Sequence, residues 1–122
     1  MKSLFPLALA ATLVAGPVHA ACTYPKAPEK MPDGQTAALE DMLAAQKLVK
    51  QFDTEIGAYQ TCLETEHNEA LAKEPNLNEQ QKTERQKILQ QKQNAAADDA
   101  AAVVQRFNDQ RKIYLEKNKK KG

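Results

Sequence analysis

Apolar residues recur at alternating intervals of three and four in the first half of this 122-residue chain. This is the a/d spacing of a coiled coil, so it predicts a long helix with a narrow apolar seam. A second, weaker seam follows Pro75. The first seam comprises Met42, Ala45, Val49, Phe52, Ile56, Tyr59 and Leu63, with Leu39 before it; the second comprises Leu89, Gln93, Ala96, Ala100, Val103, Phe107, Gln110 and Tyr114.

The two seams match each other when the chain folds back on itself. In an antiparallel register that sets Phe52 against Ala100 and Ala45 against Phe107, large residues meet small ones along most of the interface. We therefore predict an all-α fold, an antiparallel two-helix hairpin of coiled-coil type. The predicted helices span about 36–73 and 79–117, within a hairpin domain of 36–118.

Residues that start and stop helices support these bounds. Asp33 or Thr36 can cap the first helix, and Pro75 breaks the helical pattern. Asn78 and Gln81 have the spacing of a capping box for the second helix.

The first 20 residues have the pattern of a secretory signal peptide. Lys2 provides the positive charge, and residues 4–14 form an apolar run that is too short to span a membrane. Small residues precede a predicted cleavage between Ala20 and Ala21. We therefore expect the protein to be exported, to the periplasm or outside the cell.

Two other interpretations of this segment are a membrane anchor and a lipoprotein signal with Cys22 as the lipidated residue. No second apolar segment follows, which disfavours an anchor. His19 occupies the position where a lipoprotein signal has a Leu-like residue. Cleavage and soluble export are the favoured interpretation.

The exported chain has two cysteines, Cys22 and Cys62, which we expect to form a disulfide. A redox-active or metal-binding thiol pair is the alternative, but such sites usually have the closer C-x-x-C spacing. Closing a loop of this length contributes about 3–4 kcal/mol to stability in the chain-entropy model.

Residues 21–35 form a proline-rich arm that cannot be helical because it carries Pro25, Pro28 and Pro32. Extended, it spans about 43 Å, and the helix from its end to Cys62 spans about 39 Å. The arm is thus long enough to return along the first helix, with Tyr24 and Met31 as apolar contacts. We expect it to cover the helix face bearing Ala44, Leu48, Gln51, Glu55 and Ala58.

Composition disfavours several classes of function. The chain has 17 Lys and Arg and 16 Asp and Glu, and loss of Lys2 with the signal peptide leaves 16 of each. A neutral chain argues against nucleic-acid binding. With one histidine after residue 20 and a thin core, an enzyme pocket is not expected, nor is a cofactor. We interpret Asp98 and Asp99 as solvated side chains. Residues 119–122 form a basic tail that we expect to add solubility; the alternative is that the tail binds an anionic surface.

Glu64 and His67 have the Glu-x-x-His spacing of di-iron helical bundles. A complete site needs more carboxylates and a second such pair, which only a dimer would supply. We keep these two residues as candidate metal ligands and expect a solvated polar face. Homodimerisation into a four-helix bundle stays open.

Leu77-Asn78-Glu79-Gln80-Gln81 resembles the Leu-Thr-x-x-Gln motif of small helical periplasmic chaperones of the Spy and CpxP type, with Asn in place of Thr. The resemblance covers five residues. It implies a protein that holds unfolded clients without ATP.

Three further segments are similar to a group of small secreted helical proteins of Gram-negative bacteria that has no assigned activity: Cys22-x-Tyr24-Pro25, Met31-Pro32-Asp33-Gly34 and Tyr59-x-x-Cys62-Leu63-Glu64. This resemblance implies a helical periplasmic protein. We therefore expect a non-enzymatic interaction or structural module of the cell envelope, with a protein as its partner. A chaperone and a metal-binding protein are the alternatives.

Overall fold

The computed structural model describes residues 21–120, which fold as a helical hairpin preceded by an extended arm. Helix α1 spans Leu39–Lys73 and helix α2 spans Glu79–Lys119. The two helices pack against each other, and the described part of the chain contains no strand. The predicted all-α hairpin is confirmed.

The register of the hairpin is set by its two seams. Within residues 21–120, all the buried apolar side chains belong to these seams: Met42, Ala45, Val49, Phe52, Ile56 and Leu63 on α1, and Leu89, Ala96, Ala100, Val103 and Phe107 on α2. Two glutamines join the helices by hydrogen bonds. The Gln60 side-chain amide donates to the backbone carbonyl of Gln93 at 3.0 Å, and the Gln93 side-chain amide donates to the backbone carbonyl of Gln60 at 3.5 Å. The predicted register, with Phe52 against Ala100, sets Tyr59 against Gln93, so the predicted and observed registers agree to within one residue.

Helix α1 begins three residues later than predicted, and its N-cap is Ala38. Neither Asp33 nor Thr36 caps it. The carbonyl of Asp33 accepts from the N–H of Thr36 at 3.1 Å, and its carboxylate accepts from Gln35 at 2.8 Å, so these residues form a separate turn. The Ala38 N–H instead donates to the carboxylate of Asp41 at 3.3 Å.

Helix α2 begins with the predicted capping box. The Asn78 side chain accepts from the Gln81 N–H at 2.8 Å, and the Gln81 side chain accepts from the Asn78 N–H at 3.0 Å. The helix ends at Lys119, two residues beyond the prediction. Capping accounts for Asn78 and Gln81 without reference to a chaperone motif.

The arm runs antiparallel to α1, as predicted. Cys22 lies beside Cys62 at one end, and Gly34 contacts α2 near its C-terminal end. Ala27 and Met31 pack against the hydrophobic core between these points. The arm is thus a third layer over the two helices.

The arm covers only part of the predicted face, because Thr23 and Pro25 share a cleft with Glu55 and Ala58. We expected it to lie over Ala44, Leu48, Gln51, Glu55 and Ala58, yet the Leu48 side chain is 52% exposed. The arm is displaced towards α2, where Tyr24 and Gly34 form their hydrogen bonds. A position between the two helices lets the arm contact both of them, whereas the outer face of α1 offers contact with only one.

Neither α1 nor α2 has an apolar stretch long enough to cross a membrane, a finding limited to residues 21–120. The predicted signal peptide, residues 1–20, and the last two residues of the basic tail lie outside the described part of the chain.

Candidate functional site

The disulfide fixes the start of the arm to the C-terminal half of α1. The Cα atoms of Cys22 and Cys62 are 5.8 Å apart, with the sulfur atoms at bonding distance. The Cys22 N–H also donates to the carboxylate of Glu66 at 3.0 Å. The N-terminal end of the described arm is therefore held at a fixed point on the groove between the helices.

Tyr24 ties the arm to both helices. Its ring packs edge-on against Tyr59 with 5.0 Å between the ring centroids, and its hydroxyl donates to the carboxylate of Asp99. Desolvation, and next the Asp99 carboxylate, raises the pKa of Tyr24 to about 12. Asp99 was predicted to be solvated like Asp98, but it is the acceptor that holds the arm on α2.

Gly34 lies at the other end of the arm and is buried. Its N–H donates to the side-chain oxygen of Gln110 at 2.8 Å. A Cβ at this position would overlap the Gln110 carbonyl oxygen and would lie 2.9 Å from Ile113 Cβ. Only glycine lets the arm approach the α2 backbone so closely.

Beyond Cys22 the groove continues towards the loop of the hairpin as an uncovered cleft of about 320 Å³, which we call the tip groove. This volume falls within the range of ligand-binding sites. The Ile88 side chain is 45% exposed there, although Leu63 and Leu89 are buried. The tip groove is lined by Leu63, Glu66, His67, Ala70, Arg85, Ile88, Leu89 and Lys92.

Charged residues surround this apolar floor. Arg85 is paired with Glu74 from the loop, and Glu66 accepts from the arm. Lys92 forms no ion pair with any residue in 21–120. The groove therefore offers a cation to whatever binds beside Ile88.

The structure places Glu64 and His67 on α1, and no group of three potential metal ligands among residues 21–120 includes either of them. Glu64 accepts from the Gln93 side chain at 3.2 Å, and His67 lines the tip groove. Within the described residues, the group of three potential metal ligands is Cys22, Cys62 and Glu66. Its two sulfur atoms are bonded to each other, so they are not thiolate ligands while the disulfide is intact.

The other side of the hairpin, which we call the open face, is not covered by the arm. Gly57 and Ala97 line it, two positions before the arm-contacting Tyr59 and Asp99 respectively. Two positions correspond to about 160° around a helix, so the open face lies opposite the arm. Gln60, Ala101 and Val104 also line this face.

Two residues that hold the arm on α2, Gly34 and Asp99, were not predicted from the sequence to do so. Gly34 follows Asp33 in a turn-forming pair, and that pair could have indicated a close approach. Asp99 gave no local signal, because its partner is 75 residues away.

No protein-family model, curated protein or solved structure matches this chain.

Proposed function

We propose that this protein is an exported, non-enzymatic interaction module of the cell envelope, and that its tip groove binds an extended segment of another protein. The observation that carries the proposal is the continuity of the tip groove with the groove that already holds the arm. Glu66 belongs to both, because it binds the Cys22 N–H and lines the tip groove.

The chemistry of the groove defines the partner. The arm is an extended segment whose Ala27 and Met31 pack against the core of the hairpin. A partner segment that follows the same path would place apolar side chains against Ile88 and Leu89. A carboxylate next to them would pair with Lys92. We therefore propose an extended, apolar and acidic segment as the ligand.

Export leaves the tip groove available for this segment. Cleavage after Ala20 leaves one residue before Cys22, so the mature arm ends where the tip groove begins. The proposed location is the periplasm or the cell exterior, where the Cys22–Cys62 disulfide persists.

Photo-crosslinking in living cells of the native host tests this function. A photoreactive amino acid replaces Ile88 in the groove, and a matched variant carries it at Gln90, about 160° around the same helix. We expect a crosslinked envelope protein from position 88 and not from position 90, and we expect Lys92→Glu to reduce its yield. Crosslinks with equal yield at both positions, or none at position 88, would contradict the proposal.

A chaperone that holds many clients is a second candidate, which is favoured by the exposed side chains of Leu39, Leu43, Leu48 and Leu115. Suppression of the aggregation of an unfolded model protein at near-stoichiometric amounts distinguishes the two. A chaperone suppresses aggregation and crosslinks to many proteins. A module with one partner does neither.

A further inference from the structure

Gly57 lies at the midpoint of α1, where a glycine weakens a helix relative to alanine. Its backbone does not need glycine, because it has no positive φ. A Cβ added at Gly57 would meet no atom within 4 Å. Nothing in residues 21–120 therefore explains why this position lacks a side chain, and close approach by another molecule would explain it.

The residues on either side of Gly57 form a symmetric series at intervals of seven. They read Leu43, Lys50, Gly57, Glu64 and Leu71. Seven residues are close to two helical turns, so the series follows one side of α1. The Leu43 side chain at one end is 54% exposed, although it is large and apolar.

Within residues 21–120, neither of the two charges in the series is paired with an opposite charge. Neither Lys50 nor Glu64 forms an ion pair with any described residue, and the carboxylate of Glu64 accepts only from the neutral Gln93 amide. They are separated by about 21 Å along α1, so they cannot pair with each other in one molecule.

We propose that a second copy of this chain docks on the open face, with the two α1 helices antiparallel and crossing at Gly57. In this arrangement Lys50 of each copy pairs with Glu64 of the other, and Leu43 packs against Leu71. Both pairs occur twice because the interface is isologous.

Charge complementarity identifies the occupant as a copy of the same chain. Helix α1 carries a cation seven residues before Gly57 and an anion seven residues after it. When a second α1 lies antiparallel to the first, each cation therefore faces the anion of the other copy. On α2 the open face carries Ala97 and Ala101, whose small side chains also allow close approach. The interface lies on the side of the hairpin opposite the arm, so it does not depend on the function proposed for the tip groove.

Sedimentation equilibrium of the disulfide-bonded mature protein over a range of concentrations tests the proposal. We expect a reversible dimer. Lys50→Glu and Glu64→Lys should each raise its dissociation constant by roughly tenfold, because each creates two like-charge contacts. The double variant should return the constant to within roughly threefold of the wild-type value, since both pairs are restored with reversed sign.

Lys47→Glu is the matched control, because it makes the same charge change at an exposed position that lies about 80° around α1 from Gly57, outside the series at intervals of seven. It should leave the dissociation constant unchanged. A monomer at all concentrations would overturn the proposal. So would a double variant that dimerises no better than the single variants, or a Lys47→Glu variant as weak as Lys50→Glu.

Gly57→Leu provides a second, steric test. Gly57 is exposed and a Cβ added there meets nothing within 4 Å in the monomer, whereas a leucine side chain would lie between the two α1 helices in the dimer. We expect a folded monomer, with its helical content unchanged by circular dichroism. A Gly57→Leu protein that dimerises like the wild type would refute a crossing at this residue.

Discussion

The Tyr24 hydroxyl donates a hydrogen bond to the Asp99 carboxylate and so joins the arm to α2 across 75 residues of sequence. The same side chain packs its ring against Tyr59 on α1. One residue of the arm thus contacts both helices. The position of the arm depends on these contacts as well as on the disulfide.

Ionisation of Tyr24 should loosen the arm at alkaline pH. Its pKa is raised from 10.0 to about 12, chiefly by desolvation and next by Asp99. A group whose pKa is higher in the folded state contributes stability that is fully present below its unfolded pKa, near 10, and is lost as the pH rises through about 12. We expect a loss of about 1 kcal/mol or less, because much of the side chain is exposed to screening solvent.

Urea unfolding at pH values below and above 10, with tyrosinate absorbance to follow the titration, measures this effect. Tyr24→Phe removes the ionisable group and keeps the ring against Tyr59. This variant should lose the part of the alkaline pH dependence that arises from Tyr24. An unchanged slope of stability against pH would show that Tyr24 does not contribute to it.

Replacement of Gly34 by alanine should destabilise the protein. The new methyl group would overlap the Gln110 carbonyl oxygen and would lie 2.9 Å from the Tyr114 nitrogen. The arm must then move off α2, and the hydrogen bond from the Gly34 N–H must break. We expect the free energy of unfolding to fall by about 1–3 kcal/mol in a urea titration.

Gly57→Ala makes the same chemical change where the methyl group meets nothing. In dilute solution it should stabilise the protein by up to about 1 kcal/mol, through helix propensity alone. Equal effects of the two substitutions would contradict the close approach of the arm at Gly34.

The disulfide should be present in the protein isolated from its native host. Mass spectrometry should find Ala21 at the N-terminus and a mass two hydrogens below that of the reduced chain. Reduction, or replacement of both Cys22 and Cys62 by alanine, should lower the free energy of unfolding by about 3–4 kcal/mol. The alanine variant should not respond to a reductant, whereas free thiols in the native protein would refute the arrangement.

Phe52 should be among the most costly side chains to truncate. It is 2% exposed and lies within the core between α1 and α2. Phe52→Ala should lower the free energy of unfolding by about 3–5 kcal/mol in thermal or chemical denaturation. Lys47→Ala, on the exposed side of the same helix, should have little effect, and a comparable loss there would mean that the seam is not the core.

The hairpin was predictable because its core repeats a local pattern. Buried residues such as Phe52 and Ala100 lie in seams whose spacing is visible in the sequence. The Asn78–Gln81 capping box was predictable for the same reason, since its two residues are adjacent on one helical turn.

The parts that were not predicted depend on contacts between distant residues. The arm lies nearer to α2 than expected, because Tyr24 finds Asp99 and Gly34 finds Gln110 there, and neither pair has a sequence spacing that indicates contact. The start of α1 was predicted too early, because Asp33 forms a turn with its own neighbours. A residue such as Asp can hydrogen-bond to the backbone of either a helix or a turn, so its presence in the sequence does not decide between the two.

The path of the arm places Ala21 and Lys119, near the two ends of the described chain, towards different ends of the molecule. The disulfide holds Cys22, and so the preceding Ala21, beside the tip groove, whereas Lys119 ends α2 about 60 Å from the start of that helix. An affinity tag or fluorophore attached before Ala21 would therefore crowd the tip groove. The same label attached after the basic tail would leave the groove accessible, which makes the C-terminus the appropriate point for immobilising this protein on a surface.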